Sequence, residues 1–325
     1  MTTMNSSTIL PDCSESGSAH DLWSDWLLIH RHGGNAHNAQ RLQQLIEKYA
    51  DRVIAAANLT AGMTAVDIGT GDGIVALRAI ETLGPALTMW LTDISRPLLD
   101  RSRKAVRQLG VESQCHFLHG SADHLSGIED QSVDAVMMRA VLAYLTDKRG
   151  ALQECRRVLK LGGRLSLAEP VLREEAFAAK ALRRMVDSGA AAADPGLALL
   201  HRWKSRQYPD TDETIAASPL SNYSERDLVR LAQQVGFRDI HMEFHIDVVP
   251  AIIRTWDSFL NSSPHPWAPT TGDILEHWFS ADERHAFEAA VRPTVERTDA
   301  VSIERIAYLS GDCQRSCRVT SCKLL

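Results

Sequence analysis

From Thr64 onward, short apolar runs alternate with helical stretches, and this alternation limits the fold more than any other feature of the chain. Each apolar run has the length of a buried strand, and the stretch after it has the length of a crossover helix. Strands joined by crossover helices predict a doubly wound α/β sheet in which most strands are parallel. The predicted strands cover residues 64–68, 87–92, 115–119, 133–138 and 164–168.

Helical segments are added to this α/β core before it, within it and near its end. Residues 171–220 interrupt the alternation, and a second interruption at 250–300 carries several aromatic residues. These added segments are predicted to cover the carboxyl ends of the strands. The predicted organisation is a disordered leader at 1–20, an N-terminal helical cap at 21–60, the core at 61–170, a helical cap at 171–220, the rest of the core at 221–311 with a helical insertion at 250–300, and a tail at 312–325.

Charge and hydropathy exclude some partners. The chain has 35 Lys and Arg against 41 Asp and Glu, a formal net charge of −6, and no basic block that would favour nucleic acid. There is no apolar run of about 18 residues, so no membrane-spanning helix is predicted. The leader has neither the charge nor the apolar stretch of a signal peptide. We therefore expect a cytoplasmic protein that acts on a small molecule.

The six cysteines are scattered, and a reducing compartment would keep them as thiols. Cys313, Cys317 and Cys322 lie close together near the end of the chain. They form no CxxC pair and have no nearby His, so we predict no metal site and a loose tail instead.

A glycine-rich turn follows the first predicted strand. The stretch AVDIGTGDG, residues 65–73, places Gly69, Gly71 and Gly73 between this strand and a helix. Glycine lets a backbone approach a ligand closely, and a helix N-terminus offers free N–H groups. A nicotinamide-type G-x-G-x-x-G turn would need glycine at position 74, where this chain has Ile74. A tight strand-to-helix connection without a ligand is the structural alternative.

Acidic residues accompany three successive predicted strands. Asp67 lies within the glycine motif, Asp93 follows the second strand, and Asp123 follows the third. Ligands of open α/β sheets bind at these carboxyl ends. Asp93 has the chemistry to accept from both hydroxyls of a ribose, and Asp123 from the exocyclic amine of a purine. Each alone is compatible with a solvated loop acid, but together they predict a nucleoside-binding site.

The stretches VDIGTGDG, LTDIS, GSADHL and ECRRVLKLGGRLSLAEP resemble the class I S-adenosylmethionine-dependent methyltransferases over about residues 60–170. Leu161 stands where the family usually has Pro, a departure that touches no ligand. The resemblance implies a mostly parallel, seven-stranded, Rossmann-like sheet whose last two strands, here 240–248 and 302–309, form a hairpin. It also implies S-adenosylmethionine as the cofactor. The implied contacts are Gly69, Gly71 and Gly73 with Arg139 at the methionine part, Asp93 at the ribose, and Ala122 and Asp123 at the adenine. Asp67 and Ile94 are further candidate cofactor-binding residues.

Tyr144, His32 and Tyr208 are candidate catalytic residues on the acceptor side. Tyr144 follows the fourth strand by about one helical turn. His32 precedes the pair Gly33-Gly34, a plausible lid hinge, and has the chemistry of a base. The aromatic ring of Tyr208 could stack on a sulfonium cation. A polar interhelix turn is the equal alternative for His32.

Arg31, Trp203 and Asn222 are candidate substrate or cap residues. Arg31 could hold a carboxylate, Trp203 could stack on a cation, and Asn222 could close the pocket. Helix packing explains Trp203, and helix N-terminal structure explains Asn222, about as well. The aromatic residues of 256–279 are predicted to be core or a subunit interface, so a homodimer is a further alternative.

Methyl transfer to a small-molecule acceptor, with release of S-adenosylhomocysteine, is the leading functional hypothesis. One rival is an enzyme that displaces methylthioadenosine by intramolecular cyclisation, giving a cyclic amino acid such as azetidine-2-carboxylate. The chain has an aromatic-bearing cap without an obvious acceptor motif, which motivates this rival. The other rival is a non-catalytic cofactor-binding module, because the motifs bind the cofactor and do not themselves transfer a group.

Overall fold

The computed structural model describes residues 20–314. Within this range, seven strands form one sheet in the order β3-β2-β1-β4-β5-β7-β6. Strands β1 to β5 pair in parallel, whereas β7 runs antiparallel to both β5 and β6. The predicted doubly wound, mostly parallel sheet with a terminal hairpin is confirmed. The strands are β1 (Thr64–Ile68), β2 (Thr88–Asp93), β3 (Cys115–His119), β4 (Val133–Arg139), β5 (Leu159–Pro170), β6 (Phe237–Pro250) and β7 (Val301–Cys313).

Helices cover both faces of the sheet and its carboxyl edge. Side-chain caps begin many of them. Asn35 accepts from the N–H groups of His37 and Asn38, and Ser224 forms a capping box with Asp227. The α-helices are α1 (Leu22–Leu28), α2 (Ala36–Ala56), α3 (Ile74–Leu83), α4 (Arg96–Leu109), α5 (Lys148–Val158), α6 (Arg173–Asp187), α7 (Pro195–Ser205), α8 (Asp212–Ala217), α9 (Glu225–Val235), α10 (Trp256–Leu260), α11 (Thr271–Trp278) and α12 (Ala281–Val295).

The core lies on the two faces of the sheet. Alternate residues of a strand point to opposite faces, so Val66 and Ile68 of β1 join one apolar cluster and Ala65 joins the other. The first cluster includes side chains of α5 and α9. The second includes side chains of α2, α3 and α4. Burial on both faces explains why the strands of this core are continuous apolar runs.

The two helical insertions pack on each other. Leu199 of α7 shares an apolar cluster with Trp256 of α10, Ile274 of α11 and Phe287 of α12. The N-terminal segment joins the same assembly at Gly33, where an added Cβ would lie 2.1 Å from the Ser258 carbonyl oxygen. The insertions and the N-terminal helices therefore form one continuous cap.

Strand β7 extends further than the sequence predicts. It ends at Cys313, which is 3% exposed and belongs to the core rather than to a loose tail. Cys115, Cys155 and Cys313 are free thiols. Cys13, Cys317 and Cys322 lie outside the described residues. Among residues 20–314, no helix is long and apolar enough to cross a membrane, and no group of three or more potential ligands is placed to hold a metal.

Candidate active site

The glycine turn joins β1 to α3 in a backbone conformation that suits glycine. Gly69, Gly71 and Gly73 have φ angles of 65°, 58° and 91°. A Cβ on Gly69 would lie 2.3 Å from a methyl group of Val141, so no larger residue fits without displacing the neighbouring loop. The turn therefore brings bare backbone to the carboxyl edge of the sheet.

The buried side chain of Asp67 stabilises this turn by hydrogen bonds. Its Oδ2 accepts from the Thr70 hydroxyl at 2.7 Å and from the Ala76 N–H at 3.2 Å. Burial raises the pKa of Asp67 to about 7, against the hydrogen bond from Thr70 and the attraction of Arg139, both of which lower it. The carboxylate thus fastens the start of α3 to β1. Direct contact of Asp67 with a cofactor stays a prediction.

Asp93 connects β2 to the glycine turn. Its Oδ2 accepts from the Gly71 N–H at 2.7 Å, and its Oδ1 accepts from the Ser95 N–H at 2.8 Å. Burial raises the pKa of this carboxyl group, and the two hydrogen bonds oppose the rise. Each carboxylate oxygen can accept more than one hydrogen bond. The arrangement therefore leaves acceptor capacity for two ribose hydroxyls.

The predicted adenine side lies beside Asp93. The Gly120 N–H donates to the Asp93 carbonyl at 3.0 Å and ties the loop after β3 to the end of β2. Ile94 is 41% exposed although it is apolar, Ala122 is buried, and Asp123 is exposed. An apolar surface beside an exposed carboxylate suits a purine, but contact of these residues with one stays a prediction.

Helix α1 lies over the glycine turn, which the sequence did not indicate. A Cβ on Gly71 would come within 3.4 Å of the Leu27 side chain. The Ser95 hydroxyl donates to Asp21, the N-cap of α1, at 3.0 Å. The helix therefore contacts both sides of the predicted cofactor site.

A cavity of about 550 Å³ adjoins the ends of β4 and β5. The N-terminal cap, the strand ends, the hairpin and both insertions all contribute to its lining. Five residues that the sequence selected lie on its surface: Arg31, Arg139, Tyr144, Trp203 and Tyr208.

His32 and Asn222 do not line this cavity. His32 Nε2 lies 2.8 Å from the Leu28 carbonyl oxygen, and its Nδ1 is buried without a partner. The amide oxygen of Asn222 lies 3.4 Å from the Lys148 ammonium. The geometry therefore gives no support to His32 as a base or to Asn222 as a substrate contact.

Tyr144 stands in an aromatic cluster where the predicted cofactor site meets the cavity. Its ring lies 5.3 Å from Trp23, 6.3 Å from Trp26 and 5.7 Å from Trp267, measured between centroids. Trp267 therefore packs against a candidate site residue, and the predicted interface role of the aromatic residues of 256–279 stays a prediction. The spacing of Trp23 and Trp26 by three residues on one helix was a usable signal, since such residues share a face.

Neither candidate tyrosine, Tyr144 or Tyr208, is suited to be a base at neutral pH. Burial raises the pKa of Tyr144 to about 12, with nearby Arg31 opposing the shift. Burial also raises the pKa of Tyr208 well above its ordinary value. Both phenols thus remain protonated and can donate hydrogen bonds. Lys204 Nζ lies 4.7 Å from the centre of the Tyr208 ring.

Comparisons with known proteins find methyltransferases. Residues 59–212 match a family model described as "Methyltransferase domain". A ubiquinone/menaquinone biosynthesis C-methyltransferase UbiE from Cupriavidus pinatubonensis is 30% identical over 189 residues, which cover 58% of this chain and 72% of that protein. A tRNA 5-carboxymethoxyuridine methyltransferase from Escherichia coli is 30% identical over 128 residues, or 39% of this chain, and the match spans 48% of that relative's length.

The fold is also found in solved structures. The YcgJ protein from Bacillus subtilis superposes with a TM-score of 0.53 and 18% identity, covering 83% of this chain and 99% of that one. Fold and glycine turn together define a Rossmann-like α/β protein, and the methyltransferase matches define a transferase. The chain belongs to the class I S-adenosylmethionine-dependent methyltransferase family.

S-adenosylmethionine is the cofactor of this family, and the residues present fit it. The glycine turn offers backbone without side chains, and Asp93 keeps free acceptor capacity beside it. At the other end of the site, Arg139 Nε is buried without a hydrogen-bond partner. A carboxylate such as that of the cofactor's methionine part would supply one.

Proposed function

We propose that this protein transfers a methyl group from S-adenosylmethionine to a small-molecule acceptor and releases S-adenosylhomocysteine. The cavity of about 550 Å³ carries this proposal. It adjoins the predicted cofactor site at Arg139 and Tyr144, and the rest of its lining comes largely from the segments added to the core. A second substrate thus has a place beside the first.

The chain's own residues act by alignment and by exclusion of water. The cofactor, when bound, supplies a methyl group activated by a positively charged sulfur. Asp93 and the glycine turn would hold it at the sheet edge, and the cap would close over it. Aromatic faces around Tyr144 favour a cation nearby. Because Tyr144 and Tyr208 stay protonated, they would orient the acceptor by hydrogen bonds rather than remove its proton.

A small acceptor is favoured over a nucleic acid. The named relatives include both a tRNA methyltransferase and a ubiquinone/menaquinone biosynthesis methyltransferase. Sequence similarity alone therefore does not decide between a nucleic acid and a small molecule as the acceptor. In this chain the acceptor side is a cavity covered by helices, and the net charge is −6. Both properties disfavour a polyanion. We further propose that the protein acts in the cytoplasm.

The cavity also favours transfer over the two rival functions. Intramolecular cyclisation needs no room for a second substrate, and a binding module needs no second pocket at all. A lined space of this size beside the cofactor site is expected only if another molecule enters it.

Mass spectrometry of reaction products tests the proposal. The purified protein is incubated with S-adenosylmethionine alone and then with a panel of small carboxylate and aromatic metabolites. We expect S-adenosylhomocysteine only when an acceptor is present. Abundant methylthioadenosine from the cofactor alone would favour cyclisation. If neither product exceeds the spontaneous background with any acceptor, the chain is a binding module.

A further inference from the structure

Three charged side chains of the cavity form neither a hydrogen bond nor an ion pair with any described side chain. Five charged residues line it, and two of them, Lys204 and Glu175, form an ion pair at 2.6 Å. In the part of the chain that the structure describes, the remaining three make no side-chain hydrogen bond and no ion pair. They are Arg31, Arg139 and Glu304.

The two arginines together favour an anion. Burial, together with the positive charge of Arg139, lowers the pKa of Arg31 to about 10. Arg31 contacts the ring of Trp26, 5.2 Å from its guanidinium carbon, rather than a carboxylate. Arg139 Nε has no partner either. Two neighbouring guanidiniums removed from water are stabilised by anionic partners. The cofactor's carboxylate would supply one for Arg139, and a second carboxylate would supply one for Arg31.

Glu304 adds a negative charge to the same space. It lies on β7, and burial raises the pKa of its carboxyl group while Arg31 opposes the rise. An unpaired carboxylate in a cavity is stabilised by a bound cation. Between these charged groups the wall is apolar and partly aromatic, with Trp203, Phe259 and Ile253 on it.

We propose that the acceptor is an amino-acid-like zwitterion with a bulky apolar side chain. Its carboxylate would bind Arg31, its ammonium group would bind Glu304, and its side chain would lie on the apolar wall. This inference rests on the proposed function, because it assigns the second substrate of that reaction. Glu304 is then a specificity-determining residue that the sequence motifs do not mark.

Calorimetry with three related probes tests the inference without turnover. The protein is saturated with S-adenosylhomocysteine and titrated with L-tryptophan, with indole-3-propionate, which lacks the ammonium group, and with tryptamine, which lacks the carboxylate. We expect L-tryptophan to bind about tenfold more tightly than either, since each charged hydrogen bond contributes at least that factor. In Glu304→Gln, L-tryptophan should bind as weakly as indole-3-propionate, and the affinity for indole-3-propionate should not change.

Asp247→Asn is the matched control. Asp247 pairs with Glu304 across the hairpin but is exposed and does not line the cavity. This variant removes the same charge one strand away and should bind all three probes like the wild type. Unchanged affinity for S-adenosylhomocysteine shows that each variant is folded.

Three outcomes would overturn the inference. They are equal affinities for the three probes, no binding of any of them, and a Glu304→Gln variant that loses affinity for S-adenosylhomocysteine itself. The last would mean that Glu304 binds the cofactor's own amino-acid group. These binding results are separate from the product analysis above. A protein that forms no S-adenosylhomocysteine yet binds L-tryptophan through Glu304 would contradict the proposed function alone.

Discussion

Asp93 has two tasks, because it holds the glycine turn through the Gly71 N–H and is predicted to bind ribose. We expect Asp93→Ala to weaken S-adenosylmethionine binding by about 1–3 kcal/mol, the contribution of charge-assisted hydrogen bonds. Calorimetry measures this loss. Asp100→Ala is the control, since Asp100 is exposed on α4 and pairs only with Arg103. Unchanged affinity in Asp93→Ala would remove the ribose role.

Asp67 should make stability depend on pH. Its pKa is about 7 in the folded protein, above the ordinary value of 3.8. Between these two pH values, Asp67 is protonated in the folded state and ionised in the unfolded state. The contribution of this group to the free energy of unfolding is fully present below about pH 4 and is lost as the pH rises to about 7. Asp67→Asn lacks this titration but keeps an oxygen acceptor for Thr70.

Urea unfolding of both proteins between pH 4 and pH 7 measures the effect. The stability of the wild type relative to Asp67→Asn should fall with pH by up to about 1.4 kcal/mol per pH unit. Parallel stability curves for the two proteins would show that Asp67 is already ionised in the fold.

Residues within a motif were predictable, and residues joined only by the fold were not. Gly71 and Asp93 lie where the motifs indicate, because a strand, a turn and a helix are continuous in sequence. Glu304 was missed, since only the return of β7 into the sheet brings it to the same cavity as Arg31. His32 was chosen for its proximity to Arg31 in sequence, but it is not part of the cavity surface.

At the scale of elements, the loop between α1 and α2 contains two adjacent glycines whose substitution should have different effects. Both need a positive φ angle, but only one also needs the space of a missing side chain. Gly33 and Gly34 both have positive φ angles, 65° and 67°. A Cβ on Gly33 would lie 2.1 Å from the Ser258 carbonyl, whereas one on Gly34 would meet nothing within 4 Å. Gly34→Ala should therefore lower the free energy of unfolding only by the cost of a positive φ angle in a residue with a Cβ, about 1–2 kcal/mol.

Gly33→Ala should lower the free energy of unfolding by about 1–3 kcal/mol more than Gly34→Ala does, because its added methyl group overpacks the contact with Ser258. Thermal unfolding of the two variants measures the difference, and both share the same backbone conformation at the mutated position. Equal losses would show that the loop and α10 separate at little cost. They would also support the predicted hinge at this glycine pair.

Local patterns predicted the parallel strands well, because burial on both faces makes them distinct apolar runs. The hairpin was predicted too short. Strands β6 and β7 continue past the core, where the apolar residues Ile246, Val248, Val301 and Ile303 lie on one exposed face, so apolar character does not mark burial there. Helix α8 was missed because it has only six residues, too few to show a helical period.

At the scale of the whole molecule, the cap should respond to the cofactor. We expect limited proteolysis to cut within residues 31–37 and 188–215 and to slow when S-adenosylhomocysteine is added, because the cap packs against the glycine turn and encloses the cavity. If opening of the cap releases the ligand, a concentration of about 100 times Kd slows cleavage about 100-fold. Cleavage at the same rate with and without ligand would show a fixed, purely structural cap.

The position of α1 has a kinetic consequence. Leu27 covers the glycine turn and Asp21 is bonded to Ser95 at the start of α4, so the helix spans the route by which a nucleoside leaves the sheet edge. Departure of the spent cofactor then requires this short helix to detach first. The dissociation rate constant would report the opening of α1 rather than the strength of the individual contacts. A cofactor bound in this way would have a long residence time. The purified protein would then still contain it and would show the absorbance of adenine.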